Sequence, residues 1–190
     1  MSAVRKPDAM CALSSNTAAK IVASLELEPA NRAVADVWLS LWDAGALPSR
    51  DRLSPFKFKA FLPGILVFDV VPDHSVTIRL AGTRFSTILG TELTGMDWIA
   101  SAPADYRAQR LKIISEIARG GIGVGHRRIG MTLGESYICE EIMLPFASAQ
   151  AGAPFQVLTH VNWQADKFLQ IKSARQATGT PLDFKVYPFA

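Results

Sequence analysis

The residues that could carry chemistry are few and scattered. The chain has three histidines and two cysteines. His74 stands in Pro72-Asp73-His74-Ser75, a stretch with turn chemistry, while His126 and His160 fall in separate strand-like runs. No two of them have the i, i+4 or HxH spacing with which one element presents a metal pair. Cys11 and Cys139 form no CxxC and lie far apart, which points to a reducing compartment rather than a disulfide scaffold. No metal and no other cofactor is expected. Glu140 and Glu141 are neighbours on a strand and face opposite ways, which disqualifies them as a local acid–base couple. Gly134-Glu135-Ser136-Tyr137-Ile138 begins like a nucleophile elbow but lacks the closing glycine and lies between strands. Gly120-Gly121-Ile122-Gly123-Val124-Gly125 suggests a phosphate loop. However, His126 stands where a dinucleotide fingerprint needs glycine, and His126-Arg127 where a P-loop needs Lys and Ser/Thr. These glycines follow a helix and enter a strand, so they read as a helix stop and a place where another backbone comes close.

The elements that would position these residues follow from periodicity. Val34, Val37, Trp38, Leu41 and Trp42 recur at i, i+3, i+4, i+7 and i+8, one apolar stripe of a helix from Pro29 to Ala44. Pro29 suits its first turn and Gly45 its end. A short helical segment is expected around Pro55–Phe61, stopped before Pro63. Gly64–Val71 reads as a strand. After a short turn, Val76, Ile78 and Leu80 alternate with Thr77 and Arg79, completing a hairpin. Short helices follow, with Phe85, Ile88 and Leu89 on one face. Pro103–Arg119 is a second long helix, with Tyr106, Leu111, Ile113, Ile114, Ile117 and Ala118 on one arc and Ser115 among the polar residues opposite. Ile122–Met131, Ser136–Phe146 and Pro154–Trp163 are three further strands. The order argues against a doubly wound parallel sheet and for an α+β fold. It predicts a five-stranded antiparallel sheet with helices on one face, plus the amphipathic N-terminal helix.

Composition closes off other classes. Of 190 residues, 49% are hydrophobic and 19% charged, too apolar for a disordered chain. A chain of this length buries roughly 70% of its unfolded surface without staples. No run approaches the ~18 apolar residues of a membrane span. Twenty basic and seventeen acidic residues give a net charge of +3. The basic residues form no stripe interleaved with aromatics, so nucleic acid is not expected as a partner. The run Ala9–Ala19 is too polar for the core of a signal peptide, and a cytoplasmic location is expected.

Arg79-Leu80-Ala81-Gly82-Thr83, followed by Gly90 and Leu93-Thr94-Gly95, has the most specific texture. Together with Leu47-Pro48-Ser49-Arg50, Pro55, Leu62-Pro63 and Leu144-Pro145, it resembles a bacterial PAS-like family. That family, formerly a domain of unknown function, comprises small proteins with few other domains. The resemblance covers about Ala33 to Trp163. It implies the PAS fold and a sensory or protein-interaction role rather than a known reaction. Gly82–Arg119 contains no cysteine and no histidine, which disfavours flavin photochemistry and local haem ligation. Gly82 and Thr83 also suit a strand-to-helix junction, with glycine allowing the tight backbone and the threonine hydroxyl available as a cap.

A candidate ligand pocket lies between the Pro103–Arg119 helix and the inner sheet face, near Phe85, Trp98, Tyr106 and His126. Aromatic core packing is the competing role for the same rings. The stripe of Val34, Val37, Trp38 and Leu41 must be covered, by the chain's own sheet or by a second copy in a homodimer. Residues 1–28 read as a weakly ordered arm, 29–163 as a PAS-like domain with its N-terminal helix, and 164–190 as an extension. The expected function is a signalling module that binds a small molecule and/or a protein partner, has no output domain of its own, and engages no membrane. It is not expected to be an enzyme. The alternatives are a small enzyme with His126 or Glu141 as base, and a ligand-free interaction scaffold.

Overall fold

The computed structural model describes residues 15–43, 46–130, 136–148, 150, 152–168 and 180–189. Four helices are α1 (Ser15–Ser24), α2 (Pro29–Leu39), α3 (Thr83–Leu89) and α4 (Arg107–Ala118). Six strands are β1 (Ile65–Val71), β2 (Ser75–Ala81), β3 (Gly121–Gly130), β4 (Ser136–Phe146), β5 (Phe155–Phe168) and β6 (Thr180–Pro188). The strands form one antiparallel sheet in the order β2-β1-β5-β4-β3-β6.

The expected α+β architecture is present, with one strand more than expected. The segment 164–190 is not only an extension. It lengthens β5 to Phe168 and supplies β6, which pairs along β3 from Gly121↔Pro188 to Arg128↔Thr180. Gly123 explains how β6 is received. A Cβ there would lie 2.6 Å from Ile117 Cδ1 and 2.7 Å from Phe184 Cζ, so both side chains would have to shift. At Gly125 a Cβ would lie 2.1 Å from the Asp183 carbonyl oxygen and 2.7 Å from Phe184 Cα, backbone that leaves room only for glycine. The glycine run is a packing device, as its context in the sequence suggested.

Side-chain alternation sends each strand's residues to two opposite covers. Ile65 and Val67 of β1, Ile122 of β3, Ile142 and Leu144 of β4, and Leu158 of β5 face α1 and α2. Leu66, Phe68, Val70, Cys139, Met143, Val157, Val161 and Trp163 face α3 and α4. The helices between β2 and β3 thus cover one face as expected, and the N-terminal helices cover the other.

Part of the arm read as weakly ordered is the helix α1, with Ala18 and Val22 buried and Leu25 just beyond it. Arg32 of α2 donates to the carbonyls of Val22 and Leu25, which caps the end of α1 and ties the two helices together. Residues 1–14 lie outside the described residues. Helix α2 starts at Pro29 as expected but stops at Leu39, where Leu41 N–H turns back to the Trp38 carbonyl at 3.0 Å. Ala44 and Gly45 lie outside the described residues. The helical segment expected near Pro55–Phe61 is instead a chain of tight turns.

The proposed dimer stripe needs a correction. Val34 and Trp38 have no exposed surface and Leu41 has 1%. Trp38 Nε1 also donates to the Pro145 carbonyl at 3.0 Å, and its ring stacks on Phe189. The stripe covers the chain's own sheet, so Val34, Trp38 and Leu41 cannot meet a second copy while α2 is docked; only Val37 is partly exposed.

Candidate functional site

The buried stripe of α4 is Arg110, Ile114, Ile117 and Ala118, the spacing i, i+4, i+7 and i+8. An arginine therefore occupies a core position, 2% exposed. Ser115, expected on the polar side, is fully buried and accepts the Asp73 N–H at 2.8 Å, which fastens the β1–β2 turn to α4. Leu111 and Ile113 are only partly buried.

Arg110 Nη1 donates to the Trp98 carbonyl at 2.7 Å and to Ser101 Oγ at 3.1 Å. Its guanidinium lies over the Trp98 ring, 4.4 Å from the centre, and 5.6 Å from the centre of Tyr106. The ring of Trp98 is placed by the backbone. Residues 95–98 run along the edge of β2, where Trp98 N–H donates to the Val76 carbonyl at 3.0 Å and Gly95 N–H to the Ile78 carbonyl at 2.7 Å. This segment covers an otherwise open sheet edge.

A second guanidinium comes from the sheet. Arg127 of β3 and Glu141 of β4 point toward α4, as does Cys139, the residue paired with Arg127. Arg127 Nε donates to Glu141 Oε2 at 2.8 Å and to Oε1 at 2.9 Å, and Nη2 donates to Oε1. Both side chains are under 10% exposed, at 8% and 3%. Burial works against the Arg127 charge, but the Glu141 carboxylate outweighs it and holds the guanidinium above its ordinary pKa. The Arg127 guanidinium lies 5.7 Å from the centre of the Trp98 ring. Burial, then the Arg127 charge, pushes Arg110 down to about 10. Burial raises the Tyr106 phenol and drives the Cys139 thiol to about 12, so that sulfur is an inert core group. On the same face, Thr159 Oγ1 is buried without a hydrogen-bond partner.

Of the four expected pocket residues, Phe85 and Trp98 share the core under α4, and Trp98 and Tyr106 share the Arg110 guanidinium. Phe85 packs edge-on to Trp163 at 5.4 Å, Trp98 tilts against Phe68 at 4.7 Å, and Tyr106 is half-buried beside Arg110. His126 is not among them. It is paired with Glu140 across β3 and β4, on the α1/α2 face, and its exposed ring sits 2.9 Å from Asp183 Oδ1. A phase error of one residue separates the expected His126 from the actual Arg127. Glu141 does reach the α4 face, but its carboxylate is saturated by Arg127. An open cavity of about 450 Å³ lies at the β1–β2 and β4–β5 turns instead, walled by Val70, Val71, Pro72, Pro154 and Phe155 among others.

The opposite face carries a polar cluster that sequence reasoning missed. Asn31 of α2 is fully buried; its Nδ2 donates to Glu140 Oε1 at 2.6 Å, and its Oδ1 faces His160 Nδ1 at 2.5 Å. The Glu28 N–H at the start of α2 also donates to the Glu140 carboxylate, at 3.0 Å. Burial, with the nearby Arg84 charge, lowers His160 to about 4, so the ring is neutral and donates from Nδ1. One signal could have found both clusters: Asn31 and Arg110 each take the first place of a buried helical stripe, where an apolar residue belongs. Among the described residues, no group of three His, Cys, Asp or Glu could hold a metal, and no helix is long and apolar enough to cross a membrane.

The Gly82-Thr83 junction is structural. A Cβ on Gly82 would lie 2.5 Å from the Pro63 carbonyl oxygen. The expected threonine cap is not made: Gly82 is itself the cap residue, no side chain caps α3, and the Thr83 carbonyl accepts from Ser86 and Thr87 hydroxyls.

The sheet order, the short helices leading into α4 and the junction at Gly82 together define a PAS architecture. A family model described as a PAS domain matches residues 27–162. The chain belongs to the PAS domain family. No curated protein matches it.

Proposed function

We propose that this PAS domain is a sensory module whose responsive element is the charged cluster beneath α4, and that its ligand is a small anion such as a carboxylate or phosphate. One observation carries this reading: Arg110 and Arg127 bring two guanidinium groups under one helix, around Trp98, Tyr106 and Glu141. Burying charge costs more than burying a hydrophobic residue of equal volume, so such a cluster is a weak way to make a core stable. It is a strong way to recognise an oxyanion, because guanidinium donors are oriented and always charged. Tyr106 is half-buried beside Arg110, which puts a phenol next to the guanidinium, and the partnerless Thr159 hydroxyl lies on the same sheet face.

Binding would act through Arg110. This side chain ties α4 to the Trp98–Ser101 segment, and the preceding residues close the β2 edge. An anion that recruits Arg110 weakens that tie and shifts the population of α4 and of the edge cover, a change a protein partner can read. The enzyme alternative is not supported, since Glu141 is held by Arg127 and His126 is on the other face. The interlocked rings of Phe85, Trp163, Phe68 and Trp98 support a second reading, a scaffold without ligand.

Thermal shift and calorimetry with succinate, benzoate and inorganic phosphate decide between them. A rise in melting temperature with at least one, lost in Arg110→Met and reduced in Tyr106→Phe, supports the sensor. No response to any of the three in the folded wild-type protein supports the scaffold.

A further inference from the structure

We propose that the turn Ser54–Phe61 docks the protein reversibly on an anionic lipid surface, with Phe56 as its anchor. Phe56 is 87% exposed, far more than Leu80, Val71 and Met96 near 40%, the other exposed large hydrophobics among the described residues. The ring is held outward by a braced backbone. Lys57 N–H donates to the Ser54 carbonyl at 3.0 Å, Phe58 N–H to that of Pro55 at 3.2 Å and Phe61 N–H to that of Phe58 at 2.8 Å. Phe58, two residues on, is 1% exposed in the core with Trp38, which fixes the turn to the body of the domain.

Within the turn itself the charges are of one sign. From Leu53 to Phe68 there is no acidic residue, and the only charges are Lys57 and Lys59. Both are exposed, as are Pro55 and Ala60. An exposed aromatic ring followed by two exposed lysines suits the headgroup boundary of a membrane, with the ring at the acyl edge and the lysines on phosphates. A protein partner is favoured less. A specific interface takes about 800 Å² from each side. The other exposed apolar residues lie on β1, on β2 and after α3, so they do not extend this patch. The expectation that no membrane is engaged rested on the lack of a spanning segment, and peripheral docking needs none.

The test is co-sedimentation of the full chain with vesicles of phosphatidylcholine, with and without phosphatidylglycerol, at low and high salt. Binding is expected only to the anionic vesicles and is expected to fall as salt rises. Phe56→Ala and the double variant Lys57→Glu/Lys59→Glu should each weaken it by about tenfold or more. Because Phe56 is exposed, Phe56→Ala should melt like the wild type, which separates loss of docking from loss of fold. Failure to sediment with anionic vesicles, equal binding to neutral ones, or binding unchanged by Phe56→Ala would overturn the proposal. Binding that appears only when an acidic protein replaces the vesicles would overturn it too.

Discussion

The two faces of the sheet bury polar groups in contrasting ways. Under α2, Asn31 stands between the Glu140 carboxylate and the neutral His160 ring: the carboxylate accepts from the Asn31 amide and the helix N-terminus, and the amide oxygen accepts from the imidazole. Under α4, two guanidiniums and a carboxylate meet around aromatic rings. The first arrangement saturates a single buried charge and registers α2 on the sheet, much as a lone buried amide fixes register in helical assemblies. The second places charge beside charge and keeps Arg110 near the half-exposed Tyr106. The difference fits two roles: the α2 face holds the domain together, and the α4 face is the one at which we propose that an anion binds.

The largest effect should come from splitting the charge cluster. Glu141→Leu leaves Arg127 buried without its carboxylate and should cost about 3–5 kcal/mol in chemical denaturation. The double variant Arg127→Met/Glu141→Leu should recover most of that loss. Double-variant stability no better than that of the single variant would show that Arg127 and Glu141 do not act as a pair.

The next effect is a pH dependence seated on the other face. His160 is lowered to about 4 in the folded state, against ~6.5 for a free histidine. The unfolded chain therefore binds the extra proton first, and stability falls as pH drops from about 6.5 to about 4. The loss approaches roughly 3 kcal/mol at the acid end. His160→Asn keeps a donor toward Asn31 and removes the titration, so its stability profile should be flatter across that window. An unchanged slope would mean that the acid sensitivity lies elsewhere.

Asn31→Ala should cost about 2 kcal/mol, since it strips partners from Glu140 and His160 but leaves the Glu28 N–H on the carboxylate. The smallest effect belongs to the surface. Arg119 pairs with Asp73 across α4 and the β1–β2 turn, but the two side chains are 50% and 64% exposed. Arg119→Ala should cost less than about 1 kcal/mol, and less still in high salt.

The regularity of the elements decided how much the sequence revealed. Helix α2, the β1–β2 hairpin, β4 and β5 carry clear apolar patterns and were legible; α4 and β3 were legible as elements but not in phase. Helix α1 was not legible, because its buried stripe is made of Ala18 and Val22 among small polar neighbours, too thin to register as a period. Strand β6 was hidden for another reason. Phe184 and Val186 face α4 while Tyr187 and Phe189 face α2, so its apolar residues do not alternate simply. Pro181 and Pro188 also argue against a strand unless it lies at an edge, as this one does. Phe85, Trp98 and Tyr106 were singled out by their aromatic character, and Phe85 and Trp98 lie in the core under α4. Arg127 was missed because Gly123 and Gly125 blank the inner face of β3, which left its phase open and favoured His126. Arg110 was missed because a charge in a helical stripe reads as an interruption.

The most direct test follows the arginine side chains themselves. In a ¹H–¹⁵N spectrum that resolves the guanidinium Nε–H signals, succinate, benzoate and phosphate are titrated into the wild-type protein. For an anion sensor under α4, Arg110 and Arg127 shift in step with ligand occupancy while the Asn31 side-chain amide stays in place. Arginine signals that do not move, or shifts that gather around Val70 and Phe155 at the open cavity instead, would contradict an anion site under α4.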